Sequence, residues 1–198
     1  MNEHWRYFHA LEDDLQDCAQ YVHFDKSNFN TYSTEFARIL LASASEFDTI
    51  AKPLCKEINP DREVGSIGDY REVILDKYPR MPETEIQVPR YQLSLEPWAN
   101  WYDGKNPEWW RSYNAVKHER NEHFEKATLG ASLRALSGLL VGLMYWFRED
   151  RVRVEKGPDL YEPESYDIIT GPDHFWSYSL PGEAKRRTDR MGGGAFEE

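Results

Sequence analysis

Arg111 and His118 are the pair of side chains whose types and spacing most readily do chemistry. Seven positions separate them, about two helical turns and roughly 10 Å of rise if the stretch is helical. A guanidinium holds oxyanions, and an imidazole gives and takes protons near neutral pH. On a helical projection Asn114 and Glu122 share their stripe, and Lys117 lies beside it. The same stripe equally suits a solvated helix face or a dimer seam held by hydrogen bonds. Lys117 is more commonly a surface lysine than an oxyanion contact, although two copies across a dimer would raise the positive potential.

The stretch 106–124 reads as one helix. Asn106 is a good N-cap, Pro107 suits the first helical position, and Glu108 suits the positive end of the helix dipole. Trp109, Tyr113, Val116, Phe124 and Ala127 fall roughly between 140° and 220° from Arg111, which makes the opposite stripe apolar. Arg120 interrupts that stripe. His123, at its border, reads as a structural histidine.

The 198 residues suffice for one domain with a sizeable core, and 12 Tyr and 7 Trp argue for a folded chain. A formal net charge of −11 argues against broad nucleic-acid binding, which needs clustered cations. The charge is uneven: residues 1–60 hold ten acids and five bases, whereas residues 105–126 hold five bases and four acids. Cys18 and Cys55 have no metal-ligand spacing, and the amino terminus has no signal-peptide pattern, so a reduced, cytoplasmic setting is expected. The longest apolar stretch, Ala135 to Phe147, reads as too short for a bilayer span, and no membrane partner or cofactor is expected.

Elements before and after that helix follow from periodicity. Trp5, Phe8, Leu11, Leu15, Cys18 and Val22 predict an amphipathic helix over 4–22, with Glu12, Asp13, Asp14 and Asp17 on a solvated outer face. A second helix runs from Ser33 or Thr34 to about Glu57, with Pro53 expected to kink or end it. Ser66 caps a third, to Tyr78. Between Glu83 and Trp98 the period shortens to that of an extended excursion or small edge hairpin, and Pro89 argues against a central strand. Trp98, Trp101 and Tyr102 are expected to plug one end of the core. A last helix, 131–147, is apolar around most of its circumference and should be the spine of the bundle. Beyond Arg148 short extended pieces, 151–154 and 165–170, form an irregular arm in which Phe175, Trp176 and Tyr178 are anchors, followed by a tail from Pro181. The expected architecture is an all-α bundle of about five helices over 1–148, with an extended insertion and an arm over 149–198.

The run Trp109-Trp110-Arg111-Ser112-Tyr113-Asn114-Ala115-Val116-Lys117-His118-Glu119-Arg120, followed by Phe124, Ala127 and a Leu-rich helix, resembles the HEPN superfamily. Its signature is an Arg, four to six residues and a His, late in a helical domain, and the resemblance covers about residues 1–148. The resemblance implies a homodimeric, metal-independent endoribonuclease of toxin or phage-defence type, with Arg and His of two protomers forming one composite site. Single-stranded RNA would be the substrate and an antitoxin a possible partner; the alternative is a non-catalytic HEPN module that binds a nucleotide or a partner protein. Attack of a ribose 2′-OH on the adjacent phosphate needs a proton carrier and a cation, roles that fit His118 and Arg111. Asn114, one turn from each, can hold a phosphate oxygen or orient His118. In many members the polar residue directly follows the Arg, where this chain has Ser112.

Overall fold

A computed structural model describes residues 2–148, 156–163, 166–169, 175–178 and 180–181. Six α-helices occupy most of the described chain: α1 (Glu3–Cys18), α2 (Thr34–Ile58), α3 (Ile67–Lys77), α4 (Glu108–His118), the short α5 (Arg120–His123) and α6 (Leu129–Trp146). The all-α expectation is therefore amended in one respect, because a small sheet is present. In it β1 (Ile86–Val88) lies between β2 (Leu93–Leu95) and β3 (Glu162–Pro163), all antiparallel. A separate ribbon pairs β4 (Tyr166–Ile169) with β5 (Phe175–Tyr178).

Caps and apolar stripes account for the helices. Asn2 accepts from the His4 amide at 2.9 Å, Ser33 from Phe36 at 3.1 Å, and Thr128 from Ala131 at 3.1 Å. Ser66 and Asp69 form a reciprocal capping box on α3. α1 ends at Cys18, four residues before the expected Val22. α2 runs through Pro53 to Ile58 rather than ending there. Pro53 and Thr49 are both exposed, so the Thr49 carbonyl that Pro53 cannot serve faces water, while Leu54 and Cys55 beyond it are buried. Packing of the following turn overrides the break.

α6 is the spine, packed chiefly along α2. By length and composition it is the described helix that could cross a membrane, and 89% of it is buried inside the protein. Its glycines admit bulky neighbours. A Cβ on Gly142 would stand 2.9 Å from Phe47 Cδ2 and 3.0 Å from Ile50 Cδ1, and one on Gly138 would stand 2.9 Å from Trp109 Cζ2. Gly142→Ala is accordingly expected to destabilise the protein by about 1–3 kcal/mol through overpacking, despite its better helix propensity. Urea unfolding monitored by far-UV circular dichroism measures this, and an unchanged or raised midpoint contradicts it.

The insertion departs from the expectation more than the helices do. β1 is a central strand, which Pro89 tolerates because it stands just past Val88, where pairing ends. Its second neighbour arrives from the arm, some seventy positions later. Trp98 and Trp101 plug the core as expected, whereas Tyr102 is 59% exposed. Leu160 and Tyr161 join the buried core, and the Tyr161 hydroxyl donates to the Leu133 carbonyl at 3.1 Å. Residues 149–155, just past the expected boundary at 148 and including the piece 151–154, and the tail after Pro181 lie outside the described residues, as do the side chains of Phe175, Trp176 and Tyr178.

Candidate functional site

α4 has one locked face and one open face. Trp109, Tyr113 and Val116 are buried, as the apolar stripe predicts, and Trp110, which lies off that stripe, is buried as well. Trp109 donates its indole N–H to the Pro97 carbonyl at 2.8 Å and meets Trp98 edge-on at 5.1 Å. Trp98 in turn donates to the Gly138 carbonyl of α6 at 3.2 Å. This aromatic cluster fixes the rotation of α4 about its axis, and with it the direction of the outward residues.

The helix is shorter at both ends than its sequence suggests. It begins at Glu108, with Pro107 (φ −53°, ψ 146°) rather than Asn106 in the capping position and no side-chain cap. It stops at His118, because Glu119 leaves helical geometry (φ −136°, ψ 49°) before α5 starts. The continuous helix to Phe124 is therefore corrected. Position 120 is where the apolar stripe would next need a buried side chain, and it holds Arg120, which is exposed. Breaking the helix there spares the burial of a guanidinium. Glu122 belongs to α5 and no longer shares the stripe of Arg111.

Arg111 and His118 are both exposed on α4, and Asn114 between them is half-buried. Arg111 makes a long 3.5 Å contact with Glu108, its side chain 64% exposed. An ion pair that open contributes little and yields readily to a better anion. The side chains of His118, Asn114 and Arg120 form no hydrogen bond or ion pair among the described residues. Lys117 donates to the Tyr113 hydroxyl at 3.0 Å and lies 5.1 Å from that ring's centre. The bond to Tyr113 raises the Lys117 pKa above the usual lysine value, so it is a fixed cation at neutral pH. Arg111 and His118 share no partner among the described residues.

Two features escape sequence reasoning. The break in the helix that carries Arg120 out to solvent is one, although Arg120 itself is noted as interrupting the stripe; the signal for it is the all-polar run 117–122. Tyr113 is a core residue whose hydroxyl anchors Lys117, something no helical projection reports. Past the break, ligand atoms of Glu119, Glu122 and His123 lie within 4.8 Å of one another. His123 is half-buried and is paired with Glu119 at 3.1 Å. These are exposed groups of a kind common on acidic surfaces without an ion.

Other reactive or concave features among the described residues are occupied by structure. Both thiols are buried and pushed upward by burial, Cys55 to about 12, which leaves them neutral and weakly nucleophilic. A groove of about 470 Å³ beside α2 is lined by Lys52, Pro53, Lys56, Arg62, Glu63 and Val64. Its cations are already committed: Lys52 to Asp48 at 2.5 Å, Lys56 to the Pro60 carbonyl, and Arg62 to Glu72. His4 pairs with Glu46 at 2.5 Å with its ring against Trp146, tying α1 to α2 and α6.

No family model matches the chain, and no curated protein or solved structure matches it at a significant level.

Proposed function

We propose that the chain is a HEPN-like, homodimeric and metal-independent endoribonuclease acting on single-stranded RNA, in a toxin or phage-defence role. The observation that carries this reading is the open face of α4: an Arg and a His two turns apart, both exposed, on a helix whose opposite face is locked by Trp109 and Trp110. Among the described residues both side chains are open to solvent on that face. A second copy laid across it would bring one protomer's Arg111 toward the other's His118.

In such a site the imidazole of His118 removes the proton from a ribose 2′-OH, whose oxygen attacks the adjacent phosphorus. Arg111 holds the non-bridging oxygens while the pentacoordinate charge develops. The 5′ oxygen leaves with a proton returned by the imidazolium, giving a 2′,3′-cyclic phosphate and a 5′-hydroxyl. In this reading Asn114 and Lys117 hold substrate oxygens.

Purified protein is expected to cut single-stranded RNA in EDTA and to leave 2′,3′-cyclic ends, while 2′-O-methyl RNA survives. Activity that vanishes in EDTA overturns the metal-independent mechanism and directs attention to Glu119, Glu122 and His123. A protein inert on varied RNAs that binds a nucleotide through Arg111 and Lys117 is instead the non-catalytic module.

A further inference from the structure

Glu12 was expected on a solvated face, yet it has no exposed surface. It lies on the same stripe as Phe8 and Leu15, and the arm covers it. One carboxylate oxygen accepts the Leu160 amide at 2.9 Å. The other is 3.3 Å from His9 Nδ1, and His9 Nε2 is 3.2 Å from the Lys156 carbonyl. The imidazole, only 12% exposed, thus bridges a buried carboxylate and the arm's backbone.

Counting protons narrows what this bridge can be. A backbone carbonyl only accepts, so Nε2 carries a hydrogen. The Nδ1 to carboxylate contact then requires one more proton, on nitrogen or on oxygen. Either way the docked pair holds two labile protons and is neutral overall. Without the second proton, two lone pairs would face each other across a buried, unpaired charge. Among the described residues, nearby groups offer no substitute. The Lys156 ammonium is paired with Asp159, Asp13 is exposed, and the Tyr161 phenol, held protonated by burial, donates to Leu133.

We infer that His9 and Glu12 form a one-proton clasp that fastens residues 156–161 onto α1 and opens as the medium becomes alkaline. In the released arm both groups are solvated. Where a solvated imidazole is already neutral, docking must take up a proton, so it weakens by up to about tenfold per pH unit. At strongly acid pH released Glu12 also binds a proton, and docking weakens again. The clasp is tightest in between.

Hydrogen–deuterium exchange of the full chain tests this, read on peptides spanning 156–163 and corrected for intrinsic exchange, at about pH 6 and about pH 8.5. Wild-type protection of the Leu160 amide should fall toward alkaline pH while α6 stays protected. Glu12→Gln supplies a permanent donor to neutral His9 and keeps an acceptor for Leu160, so it should retain protection and lose the pH dependence. His9→Phe should lower protection at both values. Wild-type protection that does not change with pH overturns the proposal, as does a Glu12→Gln variant with unaltered pH dependence.

Discussion

Trp109→Ala should cost about 3–5 kcal/mol of folding stability. That is a large share of the roughly 5–15 kcal/mol that holds a typical domain folded. The residue is 1% exposed and touches everything that positions α4: Trp98 at 5.1 Å, Trp110 at 5.6 Å and the bare backbone of Gly138. Gly138 cannot fill the space from α6, and Trp98 is held by its bond to the Gly138 carbonyl. The void left by an alanine therefore collapses poorly. Trp109→Phe separates two contributions, because it keeps most of the ring but leaves the buried Pro97 carbonyl without its 2.8 Å donor. An orphaned acceptor of this kind costs about 1–3 kcal/mol. Denaturant unfolding measures both, and a loss below about 1 kcal/mol for the alanine variant would show that the aromatic cluster is not what fixes α4.

The parts of this fold that periodicity announces are those stabilised by neighbours one turn away. The stripes of α1, α2, α3 and α6 put Phe8, Phe47, Tyr70 and Leu140 at 0% exposure, and local caps set several of their starts. Where distant chain decides the outcome, local pattern is silent. Glu12 reads as one acid among several until residues 160 and 161 cover it. β1 reads as an edge until Glu162 and Pro163 supply a second neighbour. At α4 the outward placement of Arg111 and His118 follows from the buried stripe. The stop at Glu119 follows from Arg120, a residue that sequence reasoning notes but cannot place without knowing that the stripe behind it meets a core.

Arg111→Ala and His118→Ala should each lower RNA cleavage by about 10²–10⁴-fold, the loss that follows removal of a proton carrier or of a transition-state cation. Both positions are exposed, so each variant should stay folded within about 0.5 kcal/mol of the wild type. Loss of rate alone does not distinguish a site within one chain from one shared between two. Mixing the two inactive variants does. In a two-fold dimer with a shared site, a mixed dimer keeps one position where intact His118 of one chain meets intact Arg111 of the other, while its second position has lost both. With free exchange half the dimers are mixed and each has one working site of two, so about one quarter of wild-type activity should return. A site built within a single chain would regain nothing on mixing, since every chain lacks one of its two groups. No recovery from a mixture shown to exchange subunits would therefore rule out the shared site, even if both single variants were dead. Recovery near one quarter would place Arg111 and His118 in one centre built from two copies of α4.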